Sequence, residues 1–125
     1  MTKYKRQGFG NTFKNARKGF RLTVKSERNI RIHIFAAVLV LLSAYCLHFS
    51  ITKFAILLIT ITSVITAEMF NSAIEFSLDA IFHNKYSRMV GMAKDISAGA
   101  VMVATINAIF VGVLLFIPAI AKLFN

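Results

Sequence analysis

A chain of 125 residues that is 57% hydrophobic is too apolar for an ordinary water-soluble domain. Its formal net charge of +10 comes from 15 Lys and Arg against 5 acids, and the cations flank apolar runs. That placement favours a membrane surface and anionic phosphates, and nucleic acid is not an expected partner.

Residues 1–7 are polar and basic and read as frayed. From Phe9 onward the apolar positions Phe9, Phe13, Ala16, Phe20 and Val24 recur every three or four residues. Lys14, Arg17, Lys18, Arg21 and Lys25 fill the remaining positions. This predicts an amphipathic helix over 8–26, lying in the membrane interface with its cations near lipid phosphates. No short apolar region with a cleavage site follows the basic N-terminus, so no signal peptide is expected.

The run Ser26-Glu27-Arg28-Asn29 breaks the stripe, and a first transmembrane helix is expected over 30–49. Arg31 and His33 near its start can snorkel or face the bundle. Cys46 is the single cysteine, which excludes an intrachain disulfide and a thiolate metal cluster, and it reads as buried filler. After a short connection the second span is expected over 52–82, roughly 45 Å at the helical rise. A polar loop from His83 to about Val90 leads to a third span over 93–122. Ala93, Ser97, Ala100, Ala104 and Ala108 give that span a stripe of small residues suited to close helix packing. The expected architecture is one all-α membrane domain over 1–125: an interfacial helix and three transmembrane helices.

Cations orient it. They crowd residues 1–31 and recur at Lys85, Arg88 and Lys94, while the other connection has Lys53 and the C-terminus Lys122. Cytoplasmic loops carry the excess of Lys and Arg, so the N-terminus and the 83–95 region are expected inside.

The polar strip on the second span carries the chemistry. Glu68, Asn71, Ser72, Glu75 and Asp79 fall within an arc of roughly 100° on a helix. Such groups are costly in lipid and usually face a bundle interior or a watery cavity. With Glu27 before the first span and Asp95 opening the third, all five acids lie toward the cytoplasmic face. Carboxylates at i and i+7 with an amide between them can hold a divalent cation, and oxygen ligands suit Mg²⁺. Glu27 could add a ligand. A metal-bound nucleotide would then have charge neutralised on its transferring phosphoryl group. The deeper carboxylate, Glu68, could accept a proton from a lipid hydroxyl, and Lys94 offers a point charge for phosphate. Two other readings stay open: interhelical hydrogen bonds alone, as in an assembly subunit, or a small ion pathway. A monomer would leave the strip partly facing lipid, which argues for a homo-oligomer. No Walker motif is present, and His33, His48 and His83 lack metal-ligand spacing.

The string Glu68-x-x-Asn71-Ser72-Ala73-Ile74-Glu75-x-x-x-Asp79, followed by Ala93-Lys94-Asp95 and Ala98-Gly99-Ala100-Val101, resembles the bacterial integral-membrane diacylglycerol kinase/undecaprenol kinase family. The similarity extends over nearly the whole chain. It implies a three-span homotrimer in the bacterial plasma membrane, transferring the ATP γ-phosphoryl group to a lipid hydroxyl with Mg²⁺. By motif match Glu68 takes the general-base position, and Glu27 and Glu75 the metal positions. Asn71, Ser72 and Asp79 line the site. Lys94 and Asp95 take nucleotide-contacting positions, with Glu27 and Glu75 reaching the nucleotide through the metal and Lys85-Tyr86-Ser87 beside it. Arg31 and Ala98 join Glu68 at the lipid substrate. The run Ser26-Glu27-Arg28-Asn29-x-Arg31-Ile32-His33 resembles the Gram-positive branch, which implies undecaprenol as acceptor, with diacylglycerol as the alternative.

Overall fold

A computed structural model describes residues 8–124, so the frayed segment expected over 1–7 lies outside the described residues. Four helices follow one another: α1 (Phe9–Ser26), α2 (Arg28–Cys46), α3 (Ile51–Phe82) and α4 (Arg88–Ala121), with no strand among the described residues. Three of them, α2, α3 and α4, are long and apolar enough to cross a membrane.

Each junction has a local cause, and each shifts a boundary away from the sequence expectation. Between α1 and α2 a single residue, Glu27, is extended (φ −100°, ψ 119°) and its N–H donates to the Thr23 carbonyl at 2.8 Å. The last carbonyls of a helix lack intrahelical donors. Here the Arg31 guanidinium supplies them, reaching the carbonyls of Val24 at 3.0 Å and Lys25 at 2.9 Å. The second helix therefore starts at Arg28 rather than residue 30.

It also stops at Cys46 rather than 49. His48 takes the left-handed conformation (φ 51°), and the Phe49 N–H returns to the Ala44 carbonyl at 3.0 Å. The reversal turns Phe49 inward, where its ring meets Phe116 at 4.9 Å between centroids. Phe49 thus belongs to the turn and its packing, not to the span. Cys46, expected as buried filler, is exposed instead, at the mouth of a cavity between the end of α2 and the end of α4.

α3 begins at Ser50, whose hydroxyl accepts from the Lys53 N–H at 3.4 Å, and runs 32 residues to the left-handed His83. α4 begins at Arg88, five residues before the expected 93, because Ser87 caps it by accepting from the Val90 N–H at 3.2 Å. Gly91, ahead of the expected start of the span, lies inside α4. Its missing side chain is used: a Cβ there would stand 3.0 Å from the Tyr86 ring, which crosses the first turns of the helix.

Short connections make α3 double back along α2 and α4 double back along α3, and α3 and α4 form the closest pair. Ile30, Ala44, Phe49, Leu57, Val64 and Val90 are the buried apolar residues, a thin core for so apolar a chain. Apolar side chains such as Leu42, Ile59 and Leu114 point outward. Water would not tolerate that much exposed apolar surface, whereas helices with their backbones satisfied internally can present it to lipid. On α1, Phe9 and Phe13 are likewise exposed, with nothing among the described residues covering them.

Candidate active site

The strip read on the second span is assembled along α3, where it meets α2 and then α4. Glu68 is buried, with 5% of its surface exposed. Its Oε1 lies 3.1 Å from Nε2 of His33 on α2. An isolated carboxylate is costly to bury, and the imidazole is its partner. One turn on, Ser72 is buried, and its hydroxyl donates to the Glu68 backbone carbonyl at 3.1 Å, so it is satisfied within its own helix.

Asn71 is a two-sided connector. Its Oδ1 accepts from the Ser97 hydroxyl of α4 at 2.7 Å, and its Nδ2 donates to Glu75 Oε1 at 3.2 Å. The amide thereby fixes Glu75 on α3 and ties α3 to α4. Another turn on, Asp79 Oδ1 accepts from Lys94 Nζ of α4 at 2.6 Å. This pair is partly exposed, with 39% of the Asp79 side chain and 34% of the Lys94 side chain accessible.

Beyond it the loop opens. A cavity of about 280 Å³ is lined by Asp79, Asn84, Lys85, Tyr86, Lys94 and Asp95, among others. His83 and Asn84 are both left-handed (φ 51° and 58°), which turns the chain sharply enough for the loop to face Lys94. On the other side of Glu68 an apolar groove of about 110 Å³ runs between α2 and α3 and reaches Ala108 of α4. Ala36, Ala37, Val40, Ile61, Val64 and Ile65 line it together with His33. The polar ladder therefore joins an apolar groove at one end to a charged loop cavity at the other. From Glu68 to Asp79 it spans about 16 Å of helix at 1.5 Å per residue.

Several expected residues stand apart from the ladder in this single chain. Glu27 is half-buried at the α1–α2 junction. Arg31 is engaged with the carbonyls that end α1. Ser87 uses its hydroxyl to cap α4, and Ala98 is exposed. Among the described residues no three His, Cys, Asp or Glu side chains converge as a ready metal cage. Two members of the ladder had no partner assigned from sequence. His33, an imidazole early in an apolar helix, was expected either to snorkel or to face the bundle, and it faces Glu68. Ser97 was counted as a small packing residue, whereas its hydroxyl is the α4 partner of Asn71. In both cases the usable signal was a polar side chain inside an apolar run.

The sequence model of the family described as prokaryotic diacylglycerol kinase matches residues 14–116. The chain is 35% identical over 112 residues to a diacylglycerol kinase of Synechocystis, a match covering 90% of this chain and 64% of that protein. It is 34% identical over 110 residues to an undecaprenol kinase of Bacillus subtilis, covering 88% of this chain and 89% of that protein.

Proposed function

The chain belongs to the prokaryotic diacylglycerol kinase family, a family of lipid kinases, and we propose that it transfers the γ-phosphoryl group of ATP to the hydroxyl of undecaprenol, giving undecaprenyl phosphate. The observation that carries the reading is the ladder itself: a buried carboxylate, Glu68, between an apolar groove and a charged cavity. An acceptor alcohol in lipid and a nucleotide in water need such a junction.

In the proposed reaction the lipid hydroxyl approaches Glu68. The O–H bond breaks and its proton passes to the Glu68 carboxylate. The hydroxyl oxygen forms a bond to the γ-phosphorus, the bond from that phosphorus to the β–γ bridging oxygen breaks, and ADP leaves. Lys94 and Lys85 offset phosphate charge, Tyr86 offers a face to the base, and Ser87 and Asp95 lie beside them. Arg31 and Ala98 belong to the lipid side. Little covalent work falls to the protein, so positioning and charge stabilisation supply the acceleration.

Oxygen donors of the ladder fit Mg²⁺, which keeps several waters and usually takes one or two carboxylates plus substrate phosphates rather than a full protein cage. Glu75, held by Asn71, and Glu27 would be those carboxylates. When bound, the ion would neutralise charge on the phosphates.

The thin core and the outward Phe9 and Phe13 support a homotrimer in the bacterial plasma membrane, with α1 in the interface and the cation-rich end of the bundle toward the cytoplasm. Undecaprenol is favoured by the nearly full-length match to the Bacillus protein and by the Ser26–His33 run. Diacylglycerol is the second reading, favoured by the similarity to the diacylglycerol kinase of Synechocystis. The test is phosphoryl transfer from γ-labelled ATP, with Mg²⁺, to undecaprenol and diacylglycerol side by side in detergent. Label in undecaprenyl phosphate well above phosphatidic acid supports the proposal, and the reverse ranking changes the acceptor. Label in neither, from folded protein, returns the ladder to an ion pathway or to assembly.

A further inference from the structure

We infer that His33 is a positioning residue for Glu68: it holds Oε1 of the carboxylate and leaves Oε2 as the oxygen presented to the acceptor hydroxyl. The inference rests on the lipid-kinase reading and assigns a role within it.

Three observations carry it. First, Nε2 of His33 stands 3.1 Å from Oε1, close enough for an N–H to donate to that oxygen. Facing a carboxylate, Nε2 is the nitrogen that carries the proton, since two acceptors would repel. Second, the surroundings give Glu68 little else. Its side chain is 6% exposed, and the nearest hydroxyl, that of Ser72, is spent on the Glu68 backbone carbonyl. Asn71, one turn away, is committed to Ser97 and Glu75. Third, His33 lines the apolar groove together with Val64 and Ile65 of α3, whereas Glu68 does not. The imidazole therefore links the apolar groove to the carboxylate it contacts.

The consequence is chemical. A carboxylate free to rotate about its terminal bond samples many orientations, and a proton acceptor works only within hydrogen-bond reach of the proton it takes. Fixing one oxygen from a different helix fixes the other. His33 itself takes no proton from the lipid and need not change its own protonation state in the transfer.

The test compares His33→Leu and His33→Gln with the wild-type protein in labelled-phosphate transfer to undecaprenol and diacylglycerol, fitting kcat and KM for both substrates. The Gln amide nitrogen can occupy the position of Nε2 and donate the same bond. A positioning role predicts that His33→Leu lowers kcat by about tenfold or more with both KM values within about threefold, and that His33→Gln recovers most of the loss. Wild-type kcat in His33→Leu overturns the inference. So does a rise of KM with kcat kept, or a Gln variant as impaired as the Leu one. Should His33→Leu fail to assemble in detergent, His33→Ala takes its place as the side chain that cannot donate, and the same outcomes, a loss of kcat recovered by Gln or no loss, support or overturn the role. Wild-type protein that labels neither lipid is a separate failure, of the kinase reading itself, and takes this role down with it before any variant is compared.

Discussion

Asn71 on α3 and Ser97 on α4 are joined by a 2.7 Å hydrogen bond, and the same amide fixes Glu75 at 3.2 Å. Packing between the closest helix pair and the placement of an acidic side chain are thereby one arrangement. Ser97→Ala should cost about 0.5–1 kcal/mol of stability, as expected for an interhelical hydrogen bond. Asn71→Leu should cost more and lower activity as well, because it also releases Glu75. Reversible unfolding in detergent, with a transfer assay alongside, would check both. Equal activity losses from the two variants would contradict the connector role of Asn71.

Glu75→Gln keeps an oxygen for the Asn71 amide, so the helix pair should assemble normally. What it loses is a charged ligand. Activity at saturating Mg²⁺ should fall about a hundredfold, equivalent to ~2.7 kcal/mol of barrier. The Mg²⁺ concentration giving half-maximal activity should rise. A variant with full activity and an unchanged Mg²⁺ titration would remove Glu75 from the metal site.

Lys94→Met breaks the 2.6 Å contact with Asp79, but both side chains are more than a third exposed. Solvent screening limits such a pair to less than about 1 kcal/mol of stability. The larger effect should fall on the nucleotide: KM for ATP should rise about tenfold, the equivalent of ~1.4 kcal/mol, with KM for the lipid unchanged. Matching rises in both KM values would point to a general distortion of the α3–α4 end instead.

Gly91→Ala would bring a methyl group within 3.0 Å of the Tyr86 ring, which is 84% exposed and free to swing away. Helix propensity should leave stability unchanged or raise it by up to about 1 kcal/mol. Displacing Tyr86 from the cavity wall should raise KM for ATP roughly threefold, or ~0.6 kcal/mol. An unaltered KM would show that Tyr86 does not face the nucleotide.

Much of the architecture was legible because apolar length is a strong signal. The long second span was placed to within one residue, since its apolar run leads straight into Glu68 and ends at the polar His83. The helix starts were less legible. Ser87 is a good cap residue, and only the approach of Tyr86 shows why a glycine suits a helix interior at Gly91. The end of α2 depends on a left-handed His48 and on where Phe49 packs, which is tertiary information. The strip from Glu68 to Asp79 was visible as helical spacing, and the structure pairs Asp79 with Lys94. The partners of His33 and Ser97 were not legible because they lie 35 and 26 residues away. Residue spacing within one helix carries no information about which neighbour a side chain will meet.

The most direct measurement is transfer of labelled γ-phosphate to undecaprenol by wild-type and Glu68→Gln protein, with ATP affinity measured on the same preparations. Proton acceptance by Glu68 predicts labelled lipid from the wild type. It predicts background from Glu68→Gln, with ATP affinity kept within about threefold because the nucleotide cavity lies about 16 Å away along α3. A Glu68→Gln protein that labels lipid at a comparable rate, or loses ATP affinity along with turnover, would contradict the account.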